Sequence, residues 1–252
     1  QVTVDEFSDF SQLQLKCMSL MTHPKLESFF ASGDFNQRLT STGVSSKDQL
    51  NWIFKDVDIR NITVSYRQSR QLAELGAAIL KNKGKNKKDI EINLPKKYDS
   101  EGVPPVLLEN ASFENSIKWI SERICEIEQG VDEIPSTAIF VNSEDRVNKF
   151  ATSLNDYGIL SDINIKVVGC LNGQAVGNEN NIRVFNIEHI KGLEFEAVFF
   201  VEIDELYNMD KSLYDNYFYV GSTRAATYLG VTCRGKLPST SKSFKSQFAS
   251  DW

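Results

Sequence analysis

Residues 182–201 read Ile-Arg-Val-Phe-Asn-Ile-Glu-His-Ile-Lys-Gly-Leu-Glu-Phe-Glu-Ala-Val-Phe-Phe-Val. Ala197–Val201 is short and wholly apolar, and Ile182–Asn186 is short with Ile182, Val184 and Phe185 apolar. Such runs suit strands buried on both faces of a parallel sheet. Between them Lys191–Phe195 reads as a turn between two strands, where Gly192 permits tight geometry. The same alternation extends outward. Val106–Leu108, Thr137–Val141 and Ile165–Val168 read as strands. Phe113–Ile127 reads as an amphipathic helix through Ile117, Ile120 and Ile124, and 144–157 as another helix. Downstream, a helix is expected to begin near Ser222 within Tyr217–Tyr228, followed by a last strand at Leu229–Cys233.

Upstream, Ile62–Val64 reads as a strand and Leu72, Leu75, Ala78 and Ile79 as one helical face. Residues 1–40 read as strand, helix, strand. Val2 and Val4 form the first strand. Leu13, Leu15, Met18, Leu20 and Met21 form a helical face, and Ser28–Ala31 is a second apolar run closed by Gly33-Asp34. A short helix at 46–54 is capped by Ser45 or Ser46. The fold class is therefore α/β, a parallel sheet flanked by helices. Ligands of such sheets sit at the carboxyl ends of the strands.

The 252 residues are 41% hydrophobic and 25% charged, ordinary values for a globular protein. A net charge of −6 argues against a generally basic nucleic-acid binder, though not against a local basic groove. Cys17, Cys125, Cys170 and Cys233 have no paired spacing, and His23 and His189 lie far apart, which argues against structural zinc. Reduced thiols point to a cytoplasmic protein. No apolar stretch approaches the ~20 residues of a membrane span. Gln1–Asp5 reads as the middle of a strand, so upstream sequence is expected. Lysines 81, 83, 85, 87 and 88 crowd around Gly84, with Pro95, Pro104 and Pro105 beyond, which reads as a loop or linker over 81–105. It is either solvated or in contact with a phosphate backbone.

Five strings carry candidate chemistry. Val4-Asp5-Glu6 closes an apolar run with adjacent carboxylates, where Asp5 could hold Mg²⁺ and Glu6 could orient and deprotonate a water. Gly33-Asp34-Phe35-Asn36-Gln37 ends in an amide able to sense a terminal phosphate. Ser65-Tyr66-Arg67 and Tyr219-Val220-Gly221-Ser222-Thr223-Arg224-Ala225 each supply a guanidinium, whose fork suits phosphate oxygens. Lys191-Gly192-Leu193-Glu194-Phe195 is the fifth. Singly, these are equally solvated acids, a turn glutamine and surface arginines.

Together and in this order, they resemble the UvrD/PcrA/Rep-like helicases of superfamily 1. Val4–Asp9 is similar to that family's motif II, Gly33–Gln37 to motif III and Ser65–Ser69 to motif IV. Ile187–Phe195 is similar to motif V, and Tyr219–Ala225 to motif VI. The resemblance implies two RecA-like lobes of the P-loop NTPase fold, with ATP and Mg²⁺ between them. Residues 1–58 would be the tail of the first lobe and 59–252 the second lobe. It places the Mg²⁺ ligand on Asp5, with Glu6 beside the metal as the catalytic carboxylate, and the phosphate sensor on Gln37. The two phosphate-binding arginines fall on Arg67 and Arg224, and the nucleotide-side acid of motif V on Glu194.

Several positions depart from the family pattern. No Gly-x-x-x-x-Gly-Lys-Ser/Thr phosphate loop is present, so that cradle is expected upstream or on a partner chain, and the fragment alone is expected to be inactive. Ser8 stands where motif II usually has glutamine. Thr40 and Thr42 replace base-stacking aromatics, and Asn186 and Glu188 replace a threonine and a histidine of motif V. ATP chemistry is thus better supported than unwinding, and single-stranded DNA binding is expected to be weak and non-specific. The leading reading is part of a helicase motor that couples ATP hydrolysis to movement on single-stranded DNA. The alternatives are a helicase-like ATPase that remodels a protein partner such as RNA polymerase, and a non-catalytic binding module.

Overall fold

The structure is a computed structural model that describes all residues except 27, 55–56, 61–67, 83–101 and 132. The expected strand at Ile62–Val64 and most of the lysine-rich loop lie outside the described residues. The chain divides into two compact units, Gln1–Ile62 and Thr63–Trp252.

In the first unit, β1 (Val2–Val4) pairs in parallel with β2 (Phe29–Ala31), with Val2 opposite Phe29 and Val4 opposite Ala31. Helix α1 (Gln12–Leu20) starts at a capping box: Ser11 accepts from the Gln14 amide, and the Gln14 side chain accepts from Ser11 N. Ser46 caps α2 (Lys47–Ile53). Val4, Phe7, Leu15, Val44, Leu50 and Ile53 form a small core. The expected apolar face of α1 is only partly buried. Leu15 is fully buried and Met18 packs beside it, whereas Leu13, Leu20 and Met21 are exposed. A nine-residue helix against so small a core has room to bury one narrow stripe.

The second unit opens with α3 (Arg70–Asn82), which buries Leu72, Leu75 and Ile79 as expected. There follow β3 (Val106–Leu108), α4 (Phe113–Gly130), β4 (Thr137–Val141), α5 (Glu144–Asp156), α6 (Ile159–Asp162), β5 (Val167–Cys170), β6 (Ile182–Asn186) and β7 (Phe195–Phe200). The unit closes with α7 (Ile203–Met209), α8 (Tyr214–Thr223), β8 (Ala225–Thr232) and a 3-10 segment, Ser239–Gln247. The six strands form one parallel sheet in the order β3-β8-β7-β4-β6-β5. The expected α/β class, a parallel sheet flanked by helices, is what this unit adopts.

Strand periodicity decides what each face meets. Ile139, Val141, Val184, Ala197 and Phe199 join the core under α4 and α5, built with Ile117, Ile120, Ile124, Val147 and Phe150. The alternate residues Phe140 and Phe200 are in ring contact, and Phe200 meets Phe218 of α8, which in turn meets Phe244. Each face therefore stacks aromatic and branched side chains against helices, which is why the strands read as mainly apolar segments.

Candidate functional site

The first unit gathers three candidates at the carboxyl ends of its two strands. Asp5 follows β1 directly. Its Oδ1 accepts from Glu6 N at 2.9 Å and from Ser32 Oγ at 2.8 Å. Both bonds take Oδ1, leaving Oδ2 as the oxygen for a hard cation or its water shell. Glu6 turns the chain in the left-handed region, φ 52° and ψ 46°, a conformation that costs a non-glycine residue energy and recurs at functional sites. Phe7 N then donates to Ser32 O at 3.0 Å. Gly33 lies so close that a Cβ there would stand 2.9 Å from Phe7 N. The Asp5-Glu6 and Gly33–Gln37 strings therefore lie side by side, and Gly33 is what permits the approach. Asp34 Oδ1 accepts from Asn36 N at 2.8 Å and starts the 3-10 turn Phe35–Gln37 on which half-buried Gln37 sits. The Phe35 ring packs edge-on against Phe7 at 5.1 Å.

The second unit places its candidates elsewhere than expected. Ser222 does not begin a helix; α8 ends at Thr223, and Arg224 is its C-terminal cap. Glu194 and Arg224 immediately precede β7 and β8, so they occupy the amino edge of the sheet, not the carboxyl edge where ligands of such sheets were expected. Nor does Lys191–Phe195 link two strands directly. A 3-10 turn, Ile187–His189, follows β6, and Gly192 then takes φ +78° before β7. That conformation favours glycine.

Arg224 is 4% exposed. Its Nη1 donates to Leu193 O at 3.3 Å, and its own carbonyl accepts from Phe195 N at 3.0 Å. Gln68, also buried, donates from Nε2 to Ala225 O at 3.0 Å and to Ser222 O at 3.5 Å, and Ser69 N donates to Ala226 O at 2.7 Å. The ends of three strings, around Gln68, Leu193 and Arg224, thus meet at one edge. Glu194 lies there too, exposed, whereas Arg67 lies outside the described residues.

The opposite, carboxyl edge holds a charge cluster that sequence reasoning missed. Glu202, 1% exposed, follows β7 with φ 54° and faces Arg146, its nearest partner, and Arg234 at 3.3 Å. Glu205 bridges the same two arginines at 2.9 and 2.7 Å and accepts from Asn142 Nδ2 at 2.9 Å. Burial pulls Arg234 towards losing its proton, but Glu202, Glu205 and Asp204 outweigh it and hold the guanidinium protonated above its ordinary range. Asn186 and Glu188 stand at the end of β6, so they also belong to the carboxyl side. Asn186 is buried and accepts from Glu188 N at 3.3 Å, while Glu188 is exposed. A strand the length of β7 separates the two edges by roughly 20 Å. Among the described residues no helix is long and apolar enough to cross a membrane, and no cluster of three or more His, Cys, Asp or Glu could hold a metal ion.

Residues 181–232 match the UvrD-like helicase C-terminal domain. Among solved structures, the C-terminal domain of a possible DNA helicase from Lactobacillus plantarum WCFS1 aligns over 73% of this chain and 98% of its own, with TM-score 0.55 and 19% identity. The UvsW helicase from bacteriophage T4 aligns over 90% of this chain and 70% of its own at 12% identity, but its TM-score of 0.35 carries no weight. No curated protein matches the chain. The strands and turn that carry Glu194 and Arg224 thus match the UvrD-like helicase C-terminal domain, on a parallel sheet of the helicase C-terminal-domain fold.

Proposed function

We infer that this chain is part of a cytoplasmic, ATP-dependent UvrD-like DNA helicase motor that couples hydrolysis to movement on single-stranded DNA. The proposed lobes are residues 1–58, the tail of a first lobe, and residues 59–252, a second lobe. The observation that carries the reading is the meeting of Gln68, Leu193 and Arg224 at the amino edge of the second sheet. It supports the reading because the Arg224 guanidinium lies beside residues similar to motifs IV and V.

Phosphoryl transfer asks mainly for positioning and for cations against developing charge. Asp5, with Oδ1 already engaged, would hold Mg²⁺ directly or through water, and bound Mg²⁺ would neutralise phosphate charge. Glu6 would orient and deprotonate the attacking water, Gln37 would sense the terminal phosphate, and Arg67 and Arg224 would stabilise the transferring group. Glu194 would face the nucleotide. The phosphate loop would come from upstream sequence or from a partner chain.

A second reading, an ATPase that remodels a protein partner such as RNA polymerase, is favoured by two features. Exposed Thr40 and Thr42 offer no stacking platform, and exposed Glu188 repels a phosphate backbone. Retention of Asp5, Glu6, Gln37, Arg67 and Arg224 favours both over a non-catalytic module.

Equilibrium binding of ATP to the full-length protein, with and without Mg²⁺, tests the site. Tight binding that depends on Mg²⁺ and weakens in Asp5→Asn is expected. No ATP binding, or binding equally strong in Asp5→Asn and without Mg²⁺, would contradict it.

A further inference from the structure

The turn that carries Arg224 is held from two sides. On one side, Leu193 O accepts from the guanidinium and Phe195 N donates to the Arg224 carbonyl. On the other, Gln68 spans Arg224 itself: its Nε2 meets the carbonyl two residues before and the carbonyl one residue after. The last carbonyls of a helix lack a full set of partners within it, and Ser222 O takes Gln68 Nε2 in addition to the N–H of the Arg224 cap. The bond to Ala225 O, at 3.0 Å, is the stronger of the two. Gln68 is 8% exposed, so neither carbonyl readily exchanges the amide for water. The neighbouring Ser69 N to Ala226 O bond, 2.7 Å, brings the Gln68 backbone to the start of β8.

We propose that Gln68 is a positioning residue: its amide bridges the α8–β8 turn and fixes the direction in which Arg224 leaves it. This rests on the reading of Arg224 as a phosphate-binding arginine. A misplacement of about 1 Å can cost about 10²-fold in rate without removing any catalytic group. Loss of the amide therefore lowers kcat, because a guanidinium that acts mainly on the transition state contributes little to ground-state binding.

Gln68→Leu keeps the volume and removes the donor. In the full-length protein it is expected to lower kcat for ATP hydrolysis by at least ~10-fold and to leave KM for ATP within about twofold. Introduced into Arg224→Lys, the same change is expected to cost less than a further twofold, because residues that act as a unit are not additive. Gln68→Glu guards against a folding defect. Its carboxyl can donate only when protonated, and burial opposite carbonyls raises its pKa, so turnover is expected to recover as pH is lowered from about 8 to about 6. A crystal structure of Gln68→Leu in this 252-residue chain is expected to show the 222–226 turn displaced and the Arg224–Leu193 bond lost. Wild-type kcat in Gln68→Leu, an equal loss in the Arg224→Lys background, or an unmoved turn would overturn the proposal. If the wild-type full-length protein hydrolyses no ATP, the functional reading fails by itself, and the displaced or unmoved turn still decides the role of Gln68.

Discussion

Arg224 Nη1 donates to Leu193 O across 3.3 Å, tying the end of α8 to the residue before Glu194. An arginine in that position is part of the packing as well as a source of charge. Arg224→Ala in the full-length protein is therefore expected to have two effects. Hydrolysis should fall by roughly 10³–10⁵, the contribution of an arginine that stabilises phosphoryl transfer. Stability should also fall, by about 1 kcal/mol, because the part-buried Leu193 carbonyl loses its donor. Urea unfolding beside single-turnover kinetics separates the two. Lysine should rescue poorly, since it lacks the fork.

The Glu202 cluster makes a sharper stability prediction. Glu202 is buried between two arginines. Removing one member of a buried ion group strands the others and costs about 3–5 kcal/mol. Glu202→Ala should show that loss in the urea midpoint of this chain. Arg234→Ala should cost clearly less, because its side chain is 46% exposed and water replaces part of the interaction. Equal losses would mean that the cluster is solvated.

Thr137–Val141 and Ile182–Asn186 are strands over the expected residues, because short segments rich in buried β-branched and aromatic residues are legible as strands. The strand expected at Ile165–Val168 lies instead at Val167–Cys170. Asn164 takes φ 59° and Ile165 N donates to Leu160 O, which keeps Ile165 with α6. The larger miss is at Ser222-Thr223. Serine and threonine commonly start helices, but here Thr223 Oγ1 bonds back to Tyr219 O at 2.8 Å and Val220 O at 3.1 Å, inside the last turn. That reversal moved Arg224 from a helix start to a helix end, and with it the site from one sheet edge to the other. The Arg146–Glu202–Glu205–Arg234 cluster had no local signal, because its members come together only when β4, β7 and β8 align.

Buried acids that ionise only with difficulty shape the alkaline limb. Burial, reinforced by Asp204 and Glu109, pushes the Cys233 thiol far above its ordinary range, and burial does the same to the Tyr214 hydroxyl despite its bond to Ser241. Both pKa values are raised in the folded state. Their contribution is thus fully present below the unfolded values, about 8.5 and about 10, and is lost as pH rises past them. The urea midpoint should fall between about pH 7.5 and about pH 9.5, and less steeply in Cys233→Ala. The same slope in both proteins would remove Cys233 from the account.

Nucleic-acid binding should be electrostatic. With no aromatic at Thr40 or Thr42 and with Glu188 exposed at the carboxyl edge, backbone attraction is what remains. Titrating salt against homopolymer and mixed-sequence oligonucleotides should give weak binding that falls steeply with salt and ignores sequence. Affinity that survives high salt, or a strong preference for one sequence, would contradict this. A full-length protein that binds no single strand at low salt would favour the protein-remodelling reading.

In the proposed function, Glu6 and Arg224 serve one ATP-hydrolysing motor whose phosphate loop is supplied from upstream sequence or a partner chain. Phosphate release in Mg²⁺ and single-stranded DNA, measured for the full-length protein, its Glu6→Gln variant and this chain alone, tests it most directly. Turnover is expected in the full-length protein, its loss in Glu6→Gln, and none from the chain by itself. Robust turnover by the chain alone, or a Glu6→Gln protein as active as wild type, would contradict it.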